Sequence, residues 1–142
     1  MKKFAFSLLV LCFMATTSFA QKSADATATT AKLTPMYTLT DVQVSQMQVI
    51  QERKYRNLSE IEGLKSTDRE KYILKLRSIQ TGNDASIKKM LTENQRIIFD
   101  QKKVENRTTM AVQYKQMKGD NLSKEQTDDK IIALEMEKLD NH

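Results

Sequence analysis

Leu39-Thr40-Asp41-Val42-Gln43 and Leu91-Thr92-Glu93-Asn94-Gln95 are one phrase written twice, and Leu122-Ser123-Lys124-Glu125-Gln126 echoes it more loosely. A hydroxyl residue with Gln three places later is a capping box. The hydroxyl accepts from the third helical amide, and the Gln carbonyl reaches back to the amide of the cap. The leading Leu stands where a hydrophobic staple belongs, with Val44 as its fourth-position partner in the first copy only. Each phrase therefore predicts the start of a helix.

The residues behind each phrase agree. After Thr40, the residues Val44, Met47, Ile50, Leu58 and Ile61 keep three-and-four spacing, with Tyr55 in the middle turn and Lys54 intruding near the stripe. Gly63 is placed to end this helix in the left-handed conformation, with Leu64 packing back on Leu58, so the first helix is expected over 40–62. Thr67-Asp68-Arg69-Glu70 predicts another capping box. It opens a second helix carrying Tyr72, Ile73, Leu76 and Ile79, with a kink or short break at Gly82-Asn83 before it resumes towards Met90. A third helix starts at Thr92, with Ile97, Ile98, Val104, Ala111, Tyr114 and Met117 facing inward and Gly119 as its stop. The last phrase opens a fourth helix with Ile131, Ile132, Leu134, Met136 and Leu139. No β-branched alternation bounded by turn residues occurs, and the chain has only three Gly and one Pro. The expected fold is all-α, a four-helix chain.

Upstream of the first phrase the chain changes character. Lys2 and Lys3 precede an apolar run from Phe4 to Met14, and Ser18 and Ala20 occupy the positions a signal peptidase reads. The run is short for a membrane span. Residues 1–20 are thus read as a signal peptide cleaved after Ala20, leaving no membrane insertion in the mature chain. Residues 21–37, rich in Ala and Thr and containing Pro35, are expected to be a disordered tether, and 38–142 the helical domain. The one cysteine, Cys12, lies in the leader behind Leu11, which does not suit lipid anchoring, so the mature chain has no thiol chemistry. Removing Lys2 and Lys3 leaves 21 basic against 18 acidic residues, a mild positive excess without a run that would bind nucleic acid.

The residues of catalysis are scarce. The only histidine is the terminal His142, and the glycines are too scattered for a phosphate loop. Carboxylate pairs such as Asp128-Asp129 fit a solvated helix face. Zinc, nickel and copper would find only His142, and the oxygen-rich turns are too sparse for calcium, so no metal, no cofactor and no enzymatic activity are expected. Three Asn-x-Ser/Thr tripeptides are read as coincidence. Met47, Met90 and Met117 sit at core spacing, whereas Met110 stands beside the stripe and is the methionine assigned to a surface.

Two L-T-x-x-Q phrases (Leu39, Thr40, Gln43 and Leu91, Thr92, Gln95) behind a leader, in a small helical chain, resemble the Spy/CpxP family of periplasmic proteins, over about residues 38 to 118. The resemblance implies a periplasmic location and a long helical hairpin that dimerises into a thin, curved homodimer. It also implies either ATP-independent chaperoning of unfolded envelope proteins or docking on an envelope-stress sensor kinase. This chain lacks the His-rich segments of the metal-responsive members and the basic, Met- and His-rich N-terminal region of some chaperone members. The client surface expected here mixes Arg53, Lys54, Arg56, Lys75 and Arg77 with apolar neighbours and Met110. The motif residues themselves are expected to be architectural caps.

Overall fold

All three hydroxyl–glutamine phrases start helices. Thr40 Oγ1 accepts from the Gln43 amide while Gln43 Oε1 accepts from the Thr40 amide at 3.1 Å. Thr92 and Gln95 repeat the exchange, with 2.9 Å for the return bond. Ser123 and Gln126 do the same at the third phrase. The computed structural model describes residues 21–140, and the leader expected at 1–20 and His142 lie outside the described residues. The described chain is helical over 21–37 (α1), Asp41–Ile61 (α2), Leu64–Thr67 (α3), Arg69–Met90 (α4), Glu93–Gly119 (α5) and Lys124–Asp140 (α6), with no strand among the described residues.

The fold is all-α as expected, but it has more helices than four. Residues 21–37 are not a disordered tether. They form α1, which buries Ala26, Thr30, Leu33 and Tyr37 at four-, three- and four-residue spacing. Alanine has the highest helix propensity, so an Ala-rich segment needs little apolar surface to stay helical once one stripe packs. Pro35 removes the bond to the Ala31 carbonyl, but both residues are exposed, so that carbonyl is left to water and not buried unpaired. Beyond it the chain turns through a left-handed Thr38, φ 52°. The Leu39 amide bonds the Thr34 carbonyl at 3.0 Å, and the Thr38 amide bonds the Pro35 carbonyl at 3.3 Å. This pair of bonds is a Schellman motif, normally built on glycine.

Other local expectations are corrected too. Gly63 is right-handed, φ −60°, because the chain passes almost without pause from α2 into α3. Thr67 is not the cap of α4. Asp68 takes that place by accepting from the Lys71 amide at 3.0 Å, and the Thr67 hydroxyl donates to the Gly63 carbonyl instead. α4 runs unbroken through Gly82-Asn83, with Asn83 and Ile87 in phase on its buried face. On α5 the inner stripe is rotated: Phe99, Met110 and Met117 are buried, while Ile97 and Val104 are more than half exposed.

α2 packs on α4, and α6 packs on α4 and α5. Two apolar clusters result. One joins Leu33 and Tyr37 of α1 to Met47, Ile87, Leu91 and Phe99. The other joins Ile61, Tyr72, Ile73 and Leu76 to Ile132 and Leu139 of α6. Between them the α2–α4 seam is polar: Gln51, Lys54, Gln80 and Asn83 are all buried. The positions 47, 51, 54, 58 and 61 on α2, and 73, 76, 80, 83 and 87 on α4, are continuous helical stripes whose centres are simply not apolar.

Candidate functional site: paired caps, a polar seam and an exposed mixed face

The two L-T-x-x-Q phrases, 52 residues apart at their glutamines, meet at one end of the α2–α4 pair. Gln43 Nε2 donates to Gln95 Oε1 at 2.7 Å, and Gln95 Nε2 donates to Gln43 Oε1 at 3.0 Å. The second hydrogen of each amide also mirrors the other. Gln43 Nε2 reaches the Met90 carbonyl at 3.1 Å, and Gln95 Nε2 reaches the Thr38 carbonyl at 3.2 Å. Each acceptor lies two residues before the other phrase's threonine, so the two motifs form a pseudo-twofold knot. Leu91 is buried in the first apolar cluster and Leu39 packs against it. All six motif residues thus share one place, and what they do there is hold helix starts together. The sequence pattern exposes the caps but not the pairing between them.

The basic residues do not converge in the same way. Arg53 and Arg56 are exposed on α2, and Lys75 and Arg77 on α4. Lys54 is not on the surface: it is buried, with Nζ donating to the Leu139 carbonyl at 3.2 Å and lying 4.5 Å from the Tyr55 ring centroid. A lysine stem can pack along apolar side chains while its ammonium finds a carbonyl at the far end. Met110 is likewise buried, because the inner stripe of α5 is rotated onto it. Arg77 is spoken for. Its Nε donates to Glu135 Oε1 at 2.7 Å, the Tyr114 hydroxyl donates to the same oxygen at 2.9 Å, and Lys138 stands 3.6 Å from Oε2. This clasp ties α4, α5 and α6. Burial pushes the Glu135 carboxyl up, but the bonds from Arg77 and Tyr114 and the nearby cations outweigh it and hold it below the ordinary value.

Two tyrosines are strongly perturbed. Burial, then the Asp84 charge, pushes the Tyr37 phenol up to about 12. Burial, then the charge and hydrogen bond of Glu62, does the same for Tyr72. Both belong to the apolar clusters, and neither lies in a cleft with a nucleophile.

A cleft of about 370 Å³ opens on the polar seam, lined by Arg53, Lys54, Asn57, Gly82, Asn83 and Ser86 among others. Among the described residues no acidic one lines it. Arg53 donates to the Ser86 hydroxyl, which donates in turn to the Gly82 carbonyl at 2.7 Å. Asn83 is 4% exposed, and neither its Nδ2 nor its Oδ1 has a hydrogen-bond partner among the described residues. Leaving a buried amide atom unmade costs about 1–3 kcal/mol, which makes this side chain unusual. Among the described residues no group of three or more His, Cys, Asp or Glu side chains is placed to hold a metal, and no helix is long and apolar enough to cross a membrane.

The outer surface carries a feature that apolar spacing alone does not reveal. Val42 and Val49 on α2, Leu74 on α4, and Ile97, Val104 and Val112 on α5 are each more than half exposed. Val42 and Val49 are seven residues apart, as are Ile97 and Val104, so each pair lies along one side of its helix. The signal lies in that spacing, which fits a core stripe equally well. Comparison of the chain with family models, with characterised proteins and with solved structures finds no match.

Proposed function

We propose that this protein is an exported, ATP-independent binder of partly unfolded envelope polypeptides, as the resemblance to the Spy/CpxP family implies. The observation that carries this reading is the mixed surface. Large apolar side chains stand exposed on α2 and α4 (Val42, Val49, Leu74), which also present Arg53, Arg56 and Lys75, and on α5 (Ile97, Val104, Val112). Such a surface attracts acidic chain segments at long range and holds short apolar segments loosely. Exposed apolar groups on a monomer otherwise mark a protein–protein contact, and a thin homodimer leaving one face open for clients is part of the proposal. The chemistry assigned to it is binding alone.

The test is suppression of aggregation of several chemically unfolded proteins by the purified protein at equimolar ratio, at low and high salt. Suppression that weakens in Val49→Ser/Val104→Ser and at high salt is expected. No effect on any client at low salt overturns the proposal. Recovery of a single stoichiometric membrane partner in place of general clients would instead assign the surface to a sensor kinase. Sedimentation of the same material reads the dimer.

A further inference from the structure

The polar seam between α2 and α4 separates the two apolar clusters. Two apolar clusters could have met there, yet the stripe is interrupted by Gln51, Lys54, Gln80 and Asn83, and a cleft of about 370 Å³ opens beside them. That volume is within the roughly 300–1,000 Å³ typical of small-ligand sites. Arg53 and the stem of Lys54, whose ammonium lies on the Leu139 carbonyl, line the cleft, and among the described residues no carboxylate does. Arg53 has a serine hydroxyl as its partner, and its guanidinium has no carboxylate among the described residues. Asn83 lines the same cleft, buried, with a donor and an acceptor both unpartnered. Gly82 sits at the cleft, and a Cβ built there would meet nothing within 4 Å, so the space beside it is open.

We infer that this cleft binds an acidic peptide segment, with a carboxylate on Arg53 and the adjacent peptide group on Asn83, whose buried amide turns towards the cleft to meet it. A guanidinium takes a carboxylate through two parallel N–H···O bonds. An Asn side chain is itself an amide, and its unpartnered N–H and C=O match the C=O and N–H of a backbone peptide group. A simple anion would satisfy the arginine and the Asn83 donor but leave the Asn83 acceptor unpaired. This inference rests on the reading of the protein as a polypeptide binder and gives that reading one defined subsite.

The experiment is a nitrogen-15 NMR titration of the purified protein with an acetylated, amidated tripeptide bearing a central aspartate. Its asparagine counterpart and sodium acetate are the comparison probes. The aspartate peptide is expected to move the Asn83 side-chain amide and Arg53 Nε–H resonances. Affinity is expected to fall about tenfold or more for the asparagine peptide, for Arg53→Gln and for Gly82→Leu. Gly82→Leu is expected to keep the fold, since leucine favours a helix more than glycine does and its Cβ meets nothing within 4 Å. Equal binding of the two peptides, unchanged binding by Gly82→Leu, acetate binding as tightly as peptide, or unmoved resonances would each overturn the inference. Aggregation suppression that persists in Gly82→Leu would remove the cleft and leave the wider proposal standing. Absence of suppression in the parent protein would remove the wider proposal while the NMR result stood by itself.

Discussion

Gln43 and Gln95 each cap their own helix and clasp each other, through reciprocal amide bonds of 2.7 and 3.0 Å. Each glutamine therefore serves two levels of structure: its carbonyl finishes a local cap, and its amide reads the other cap and the carbonyl that precedes it. Truncating either one takes one partner from the amide and the carbonyl of the other and leaves its own threonine amide without the capping acceptor. Gln43→Ala and Gln95→Ala are each expected to cost about 1–3 kcal/mol in urea unfolding. The double variant should cost less than the sum, with a coupling of about 0.5–3 kcal/mol. Strict additivity would show that the two caps act independently.

Thr38 carries backbone strain at the same knot. A β-branched residue at φ 52° is in the left-handed region that glycine adopts without penalty. Its carbonyl accepts from Gln95, so the strained turn also aims an acceptor at the motif. Thr38→Gly keeps that carbonyl and removes the steric cost, which is roughly 1–3 kcal/mol before the greater chain entropy of glycine is subtracted. A net stabilisation of about 1 kcal/mol is expected in urea unfolding. Destabilisation would mean that the threonine side chain makes a contribution larger than its strain.

How much of this is legible in the sequence depends on how local the cause is. The caps at Thr40, Thr92 and Ser123 are readable because both partners lie within four residues. The pairing of Gln43 with Gln95 is not, since nothing local says which caps will meet. α1 is hidden by composition: Ala26, Thr30, Leu33 and Tyr37 do keep a helical period, but two of the four are small or polar, and Pro35 reads as a stop. The polar seam is hidden for a related reason. Gln51 and Lys54 continue the Met47–Ile61 stripe in phase, and a reading that counts only apolar residues breaks there. On α5, Ile97 and Val104 fit a core stripe by spacing, yet Phe99 and Met110 take the core. Polar, weakly patterned faces leave the rotation of a helix to its neighbours.

Gly82 lies within the unbroken α4, where a Cβ would meet nothing within 4 Å. The helix therefore bears the cost of glycine without a packing reason for it. Gly82→Ala is expected to stabilise by about 1 kcal/mol, or roughly 4 °C in the thermal midpoint. The methyl group is small enough to leave the adjacent cleft open, so peptide binding should survive. A lowered midpoint would show that the backbone near Gly82 needs freedom that the helix does not reveal.

Tyr37 and Tyr72 are held protonated by burial and by neighbouring carboxylates, with pKa values near 12 against the ordinary 10.0. Between these values the unfolded chain loses phenolic protons that the native chain keeps. Stability is then fully present below pH 10 and falls as pH rises through the native values. Unfolding midpoints followed across that range should drop, and Tyr72→Phe, which removes one of the two groups and its bond to Glu62, should flatten the slope. An unchanged slope would show that Tyr72 ionises as freely in the native protein as in the unfolded chain.

The Glu135 clasp sets the opposite limit. Its carboxyl is buried at the junction of α4, α5 and α6, accepts from Arg77 and Tyr114, and is held below its ordinary value of 4.5. Below that ordinary value the unfolded chain takes up a proton that the native chain resists. The contribution of Glu135 is therefore complete above about pH 4.5 and is lost as pH falls through the lower native value. Glu135→Gln keeps an oxygen that Arg77 and Tyr114 can reach but removes the charge. It should cost about 1–3 kcal/mol at neutral pH. Because the variant no longer titrates at this position, its stability should decline less steeply in acid, and the two curves should converge as pH drops. Urea midpoints of both proteins from neutral pH downward make the comparison. Parallel curves would mean that the carboxylate charge does not hold the three helices together and that the clasp acts through its shape alone.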